Sequence, residues 1–151
     1  MSTPDAARPP VVVDTNVVLD LLVFPDPAAA PLRAAVADGA LCWLATVPMR
    51  EELARVLHYP KLAPRLAFYG RSAFEVLAAF DTRARLVPIA PKAGVTCRDP
   101  DDQKFVDLAV AHRAMLLSID HAVLCLKKRL LALGVATAPS LASLPRLTPP
   151  G

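Results

Sequence analysis

The sequence predicts an α/β fold: three layers, α/β/α, around a central and mostly parallel sheet of four or five strands. Three observations predict it. Val11-Val12-Val13 is a β-branched apolar run without alternation, bounded by Pro9-Pro10, and reads as a central strand buried on both faces. Met115-Leu116-Leu117-Ser118-Ile119 repeats that character late in the chain. Between and after them, strand candidates alternate with helical stretches, which implies crossover connections and therefore parallel strands with helices on both faces.

The elements follow in order. Val17 to Phe24 is an apolar, helix-like run stopped by Pro25, and an Ala-rich helix runs from about Pro27 to Asp38, ended by Gly39. Leu41 to Ala45 is the second strand. Thr46 stands as N-cap with Pro48 in the first turn of a helix carrying Met49, Leu53, Val56 and Leu57 at helical spacing, ended by Pro60. Helical pieces span about Leu62 to Tyr69 and Ser72 to Asp81. Arg85 to Ile89 is a short strand whose Pro88 suits a sheet edge. Pro91 to Arg98 is loop, Asp99-Pro100 opens a helix reaching about Arg113, and helix returns from His121 to about Leu133. Gly134 to Thr137 is the last short strand. Residues 1–10 read as a disordered leader, 11–145 as one domain, and 146–151 as a loose tail.

Composition narrows the function classes. The hydrophobic fraction is 54% and the mean hydropathy +0.40. Yet no stretch reaches the ~20 apolar residues of a spanning helix, so no membrane association is expected. Met1 to Pro10 has no apolar signal core. Cys42, Cys97 and Cys125 are scattered without a C-x-x-C pair, which argues against a disulfide framework or structural zinc, and for a cytoplasmic location. A net charge of +3 and a pI near 9.0 permit a polyanionic partner. The high apolar fraction suits a patch for a partner chain or for self-association.

The acids carry the chemistry. Asp14 and Asp120 each end a strand candidate, and in parallel, neighbouring strands both would lie at one sheet edge, where open α/β sheets bind ligands. At ~100° per residue, Glu52 falls within the apolar stripe of its helix, with Glu51 and Arg55 opposite. In the helix after Asp99-Pro100, Asp102 lies on the inner face set by Phe105, Val106, Ala109 and Val110, with Lys104 and Asp107 outside. Asp99 and Asp101 suit capping. Asp14, Glu52, Asp102 and Asp120 thus converge; unneutralised, they repel and raise one another's pKa. Hard divalent cations, Mg²⁺ or Mn²⁺, resolve that conflict and support phosphodiester hydrolysis.

Val-Val-Asp14-Thr-Asn16, Glu52-Leu-Ala-Arg-Val-Leu before His-Tyr-Pro-Lys61, Asp99-Pro-Asp-Asp102-Gln-Lys-Phe-Val-Asp-Leu-Ala and Ser118-Ile-Asp120, in this order, resemble PIN-domain ribonucleases, more closely the toxin branch of bacterial toxin–antitoxin systems. The resemblance covers Val11 to about Leu141. It implies a metal pocket formed by Asp14, Glu52, Asp102 and Asp120, with Asn16, Ser118 and Asp99 beside it as supporting residues. It implies a single-stranded RNA substrate, an antitoxin partner and a homodimer or higher oligomer. The turn between Ala111 and Met115 is about one residue shorter than usual in that family, which leaves Asp101 against Asp102 open; helical phase prefers Asp102. Lys127-Lys128-Arg129 is the densest basic run and a candidate phosphate track. Two alternatives stand: a non-catalytic module of this fold acting through a protein partner, and an Asp-nucleophile phosphatase. The phosphatase needs a second acid two residues after its nucleophile, where this chain has Asn16.

Overall fold

The computed structural model describes residues 8–144. Five strands form one parallel sheet in the order β3-β2-β1-β4-β5, with β1 over Pro10–Val13, β2 over Cys42–Ala45, β3 over Ala84–Leu86, β4 over Met115–Leu117 and β5 over Thr137–Ala138. Strand β1 is central: Val12 pairs with Leu44 on one side and Leu116 on the other. Val11 and Val12 are 0% exposed, which explains why the run does not alternate. Successive connections lead from β1 outward to β2 and β3, and the later strands fill the other side. Strand order therefore reverses at β1, and the crevice between the carboxyl ends of β1 and β4 is where such a sheet binds ligands.

The helices are α1 (Thr15–Leu22), α2 (Ala30–Ala37), α3 (Val47–Leu57), α4 (Ala63–Phe68), α5 (Ala73–Arg83), α6 (Gln103–His112), α7 (His121–Leu124) and α8 (Lys127–Ala132). Helix α3 packs on α5 and α1, and α6 packs on β1 and β4. Trp43 of β2, 1% exposed, meets the Phe80 ring of α5 edge-on, with centroids 5.1 Å apart. Helix α5 opens with a reciprocal cap: Glu75 N donates to Ser72 Oγ and Ser72 N to Glu75 Oε1.

Several boundaries differ from expectation for local reasons. Pro10 already belongs to β1, and Cys42 N donates to Pro9 O at 2.9 Å, so the sheet begins within the span read as leader. Residues 1–7 of that span and the whole expected tail, 146–151, lie outside the described residues. The Ala-rich helix starts as a 3₁₀ turn over Pro27–Ala29, because Asp26 caps it by accepting from Ala28 N. Thr46 holds the N-cap position of α3, but its side chain makes no capping hydrogen bond.

Strand β3 is an edge strand, and it is shorter than expected because Pro88 has no N–H to continue the ladder. The expected helix from His121 divides into α7 and α8 at Cys125-Leu126. The last strand starts late because the N–H groups of Gly134 and Val135 close α8 onto Leu131 O and Leu130 O, with Gly134 at φ +85°. Among the described residues, no helix is long and apolar enough to cross a membrane.

Candidate functional site

The site grows from the end of β1. The Asp14 N–H donates to Leu117 O at 3.0 Å, sealing β1 against β4, and the Asp14 side chain caps α1 by accepting from Val17 N at 3.0 Å. The carboxylate is 2% exposed and its other oxygen accepts from the Ser118 hydroxyl. Burial pushes its pKa up to about 6, against the lowering effect of those hydrogen bonds and with a further push from Asp120. Ser118, fully buried just past β4, also receives the Asp120 N–H at 3.0 Å. One hydroxyl thus ties the two strand-end acids together. Asp120 in turn caps α7, accepting from Ala122 N at 2.8 Å.

Asp99 and Asp102 arrive on a tight turn. Asp99 caps a 3₁₀ turn over Pro100–Asp102 through the Asp101 N–H, and α6 starts at the next residue. That turn leaves Asp101 exposed and Asp102 half-buried. The loop before it is held from α6. Gln103 accepts from Cys97 N at 2.6 Å and donates to Val95 O at 3.0 Å, while Asp107 accepts from Ala93 N at 2.9 Å. Ligand oxygens of Asp99, Asp102 and Asp120 lie within 4.8 Å of one another. Burial pushes the Asp102 carboxyl up to about 7, and Asp120, close enough to share a proton, Asp99 and Asp14 push the same way. Its Oδ2 is buried with no hydrogen-bond partner.

Glu52 comes to the same cleft from α3. It is half-buried, and Glu51 is exposed, as helical phase predicts. Thr15 donates its hydroxyl to Glu52 Oε2, and Lys104 Nζ approaches Oε1 at 2.5 Å. A cleft of about 430 Å³ has Asp14, Asn16, Glu52 and Asp102 in its lining, together with Thr15, Arg55 and Tyr59. Asn16 is exposed there. Asp120 is not among the residues lining this cleft and reaches the cluster through Asp102 and Asp14.

Three expectations change. Lys104 and Asp107 do not face away from the protein: both are half-buried, Asp107 pins the loop and Lys104 reaches Glu52. Arg55 lines the cleft rather than the opposite side, because at ~100° per residue it sits only about 60° round the helix from Glu52. Sequence reasoning misses Thr15, Lys104 and Tyr59: Tyr59 lies just past the end of α3, and none of the three carries a local signal in the sequence. Of the basic run, all three residues are exposed on α8, and Arg129 lines a separate groove of about 400 Å³ with Arg98 and His121.

The donor set suits a hard divalent cation. It is carboxylate oxygen throughout, it contains a buried oxygen lacking a partner, and burial with the neighbouring carboxylates disfavours charge on Asp102. A family model described as PIN domain matches residues 10–122, spanning β1 through the start of α7 and so every acid of this cluster. Among curated proteins, no match is found. PIN domains are generally metal-dependent nucleases that act on RNA. Over three quarters of its described length, from the central strand to the capped acid at Asp120, this chain belongs to the PIN-domain family.

Proposed function

We propose that the protein is a Mg²⁺- or Mn²⁺-dependent endoribonuclease that hydrolyses phosphodiester bonds of single-stranded RNA. The observation that carries this reading is the orphaned, buried Asp102 Oδ2 beside Asp99 and Asp120. A buried polar atom without a partner costs about 1–3 kcal/mol and adjacent carboxylates repel one another, so a bound cation would stabilise the arrangement at neutral pH. Asp99, Asp102 and Asp120 would hold it, with Asp14 adding charge from the strand end and Glu52 bounding the cleft from α3. When bound, a divalent ion supplies positive charge that acidifies water and offsets charge building on the phosphate.

The chain's own groups do the rest. The Ser118 hydroxyl fixes Asp14 and the Asp120 backbone relative to each other, and the loop clamped by Gln103 and Asp107 delivers Asp99. Asp14, which lines the cleft outside the set that would hold the cation, is the carboxylate that would orient the attacking water and accept its proton. Asn16, a carboxamide, cannot deliver a proton as the phosphatase mechanism requires. Lys127, Lys128 and Arg129, with Arg98 and His121 beside Arg129, form the phosphate track.

By the same resemblance the protein acts in the cytoplasm as the toxin of a toxin–antitoxin pair, with an antitoxin partner and as a homodimer or higher oligomer. Phe68, Phe74 and Ile89, 80%, 81% and 71% exposed, support a partner-covered surface. The test is cleavage of single-stranded RNA with Mn²⁺ or Mg²⁺ by the purified chain. Cleavage stopped by EDTA and abolished in Asp14→Asn is expected. Cleavage by Asp14→Asn at the wild-type rate overturns the proposal, and a phosphoaspartate at Asp14 replaces it with the phosphatase. A protein that binds no metal is the non-catalytic module.

A further inference from the structure

Phosphodiester hydrolysis by paired divalent ions needs two cation sites about 3.5–4 Å apart, one for each oxygen of the displacement. Two acidic faces meet the cleft, and the chain treats them differently. On the first, which lines the cleft only through Asp102, Asp99, Asp102 and Asp120 stand together and Asp102 Oδ2 has no hydrogen-bond partner. On the second, both Glu52 oxygens are engaged, one by the Thr15 hydroxyl and the other by the Lys104 ammonium at 2.5 Å. That ammonium also donates to the Asp101 carbonyl, itself part of a residue lining the cleft, and lies 4.9 Å from the centroid of the Phe105 ring. The pair is largely enclosed, with side-chain exposures of 23% for Lys104 and 18% for Glu52.

A carboxylate oxygen and a backbone carbonyl are the ligands a hard cation takes, and here they hold a covalently tethered one. Tethering also fixes its place, because Lys104 is two residues after Asp102 and rises from the first turn of α6. We propose that Lys104 Nζ is the built-in second cation of this site: the chain holds one divalent ion at Asp99, Asp102 and Asp120 and uses the ammonium where a two-ion nuclease binds another. This rests on the reading of the acidic cluster as a metal centre. An ammonium carries three N–H donors; Glu52 and the Asp101 carbonyl take two, leaving one for a phosphate oxygen. A second divalent ion would have to displace the ammonium from Glu52, which keeps the site at one ion.

The experiment counts Mn²⁺ per full-length chain at pH 7.5, by calorimetry and by electron paramagnetic resonance of the free ion. The wild type is expected to bind one ion. Lys104→Met keeps the apolar stem and removes the charge, and it is expected to bind two, the second on the unpaired Glu52. Lys104→Arg is expected to bind one, and so is the Lys104→Met/Glu52→Gln double variant. Glu52→Gln alone is expected to keep one ion at unchanged affinity, which decides the matter even if Lys104→Met does not fold. Two ions on the wild type, one on folded Lys104→Met, or loss of the ion in Glu52→Gln would overturn the assignment of Lys104 while leaving the metal centre standing. No ion on any form would overturn both.

Discussion

Replacing Asp14 by Asn is expected to stabilise the metal-free protein at neutral pH and to weaken its response to divalent cations. The cause is the buried charge at the end of β1. Folding raises the Asp14 pKa from 3.8 to about 6. At about 1.4 kcal/mol per pH unit, the ionised carboxylate therefore costs the native state about 3 kcal/mol above pH 7.

The sign follows from proton linkage. Because the pKa is raised, the native state holds the proton more tightly than the unfolded chain. This group's contribution to stability is fully present below about pH 4 and is lost as pH rises through 6. Asn keeps an oxygen for the Val17 N–H and an amide for Ser118, but those bonds are neutral and weaker, which trims the gain to about 1–3 kcal/mol. For a chain of this length that is roughly 2–12 °C in Tm. Thermal and urea unfolding in EDTA at pH 7.5 and pH 4 measure it: the variant should be the more stable at pH 7.5, and the two should nearly converge at pH 4. Adding Mn²⁺ should raise the wild-type Tm more than that of Asp14→Asn, which lacks the charge at the strand end. A variant less stable than wild type at pH 7.5, or a difference independent of pH, would refute the reasoning.

Three further outcomes are expected. Because protons compete with the cation at carboxyls pushed up to about 6 and about 7, the Mn²⁺-induced rise in Tm should shrink as pH falls from 7.5 to 5.5; a constant rise would place the ion elsewhere. Ser118→Ala strands the Asp14 carboxylate and the Asp120 N–H in a buried site, costing about 1–3 kcal/mol by urea unfolding and weakening Mn²⁺ binding at pH 7. Trp43→Ala empties the contact between β2 and Phe80 and should cost about 3–5 kcal/mol without changing metal affinity in the molecules that remain folded.

Much of the frame was legible in the sequence because burial on both faces writes itself as unbroken apolar runs. Val11 to Val13 and Met115 to Leu117 read as central strands for that reason, and Pro88 placed β3 at an edge. Helical phase put Glu52 and Asp102 inward. It failed where the helix was not uniform or the side chain was long. Lys104 starts on what phase makes the outer side, yet a four-carbon stem carries its charge to Glu52. Asp99 reads locally as a cap, which it is. Its approach to Asp120 depends on a loop clamped by Gln103 and Asp107, a tertiary arrangement without a local signature. The division between α7 and α8 was likewise hidden, since no Gly or Pro marks Cys125-Leu126.

The central claim is that carboxylates of this cluster hold a cation that the chain uses to cut RNA. Single-turnover cleavage of an end-labelled single strand in Mn²⁺, by wild type and by folded Asp102→Asn, tests it most directly. The wild type should cleave and fall silent in EDTA. The variant, which loses an ionised oxygen at the centre of the cluster, should be slower by about 10²-fold or more. Equal rates for the two proteins would contradict the account.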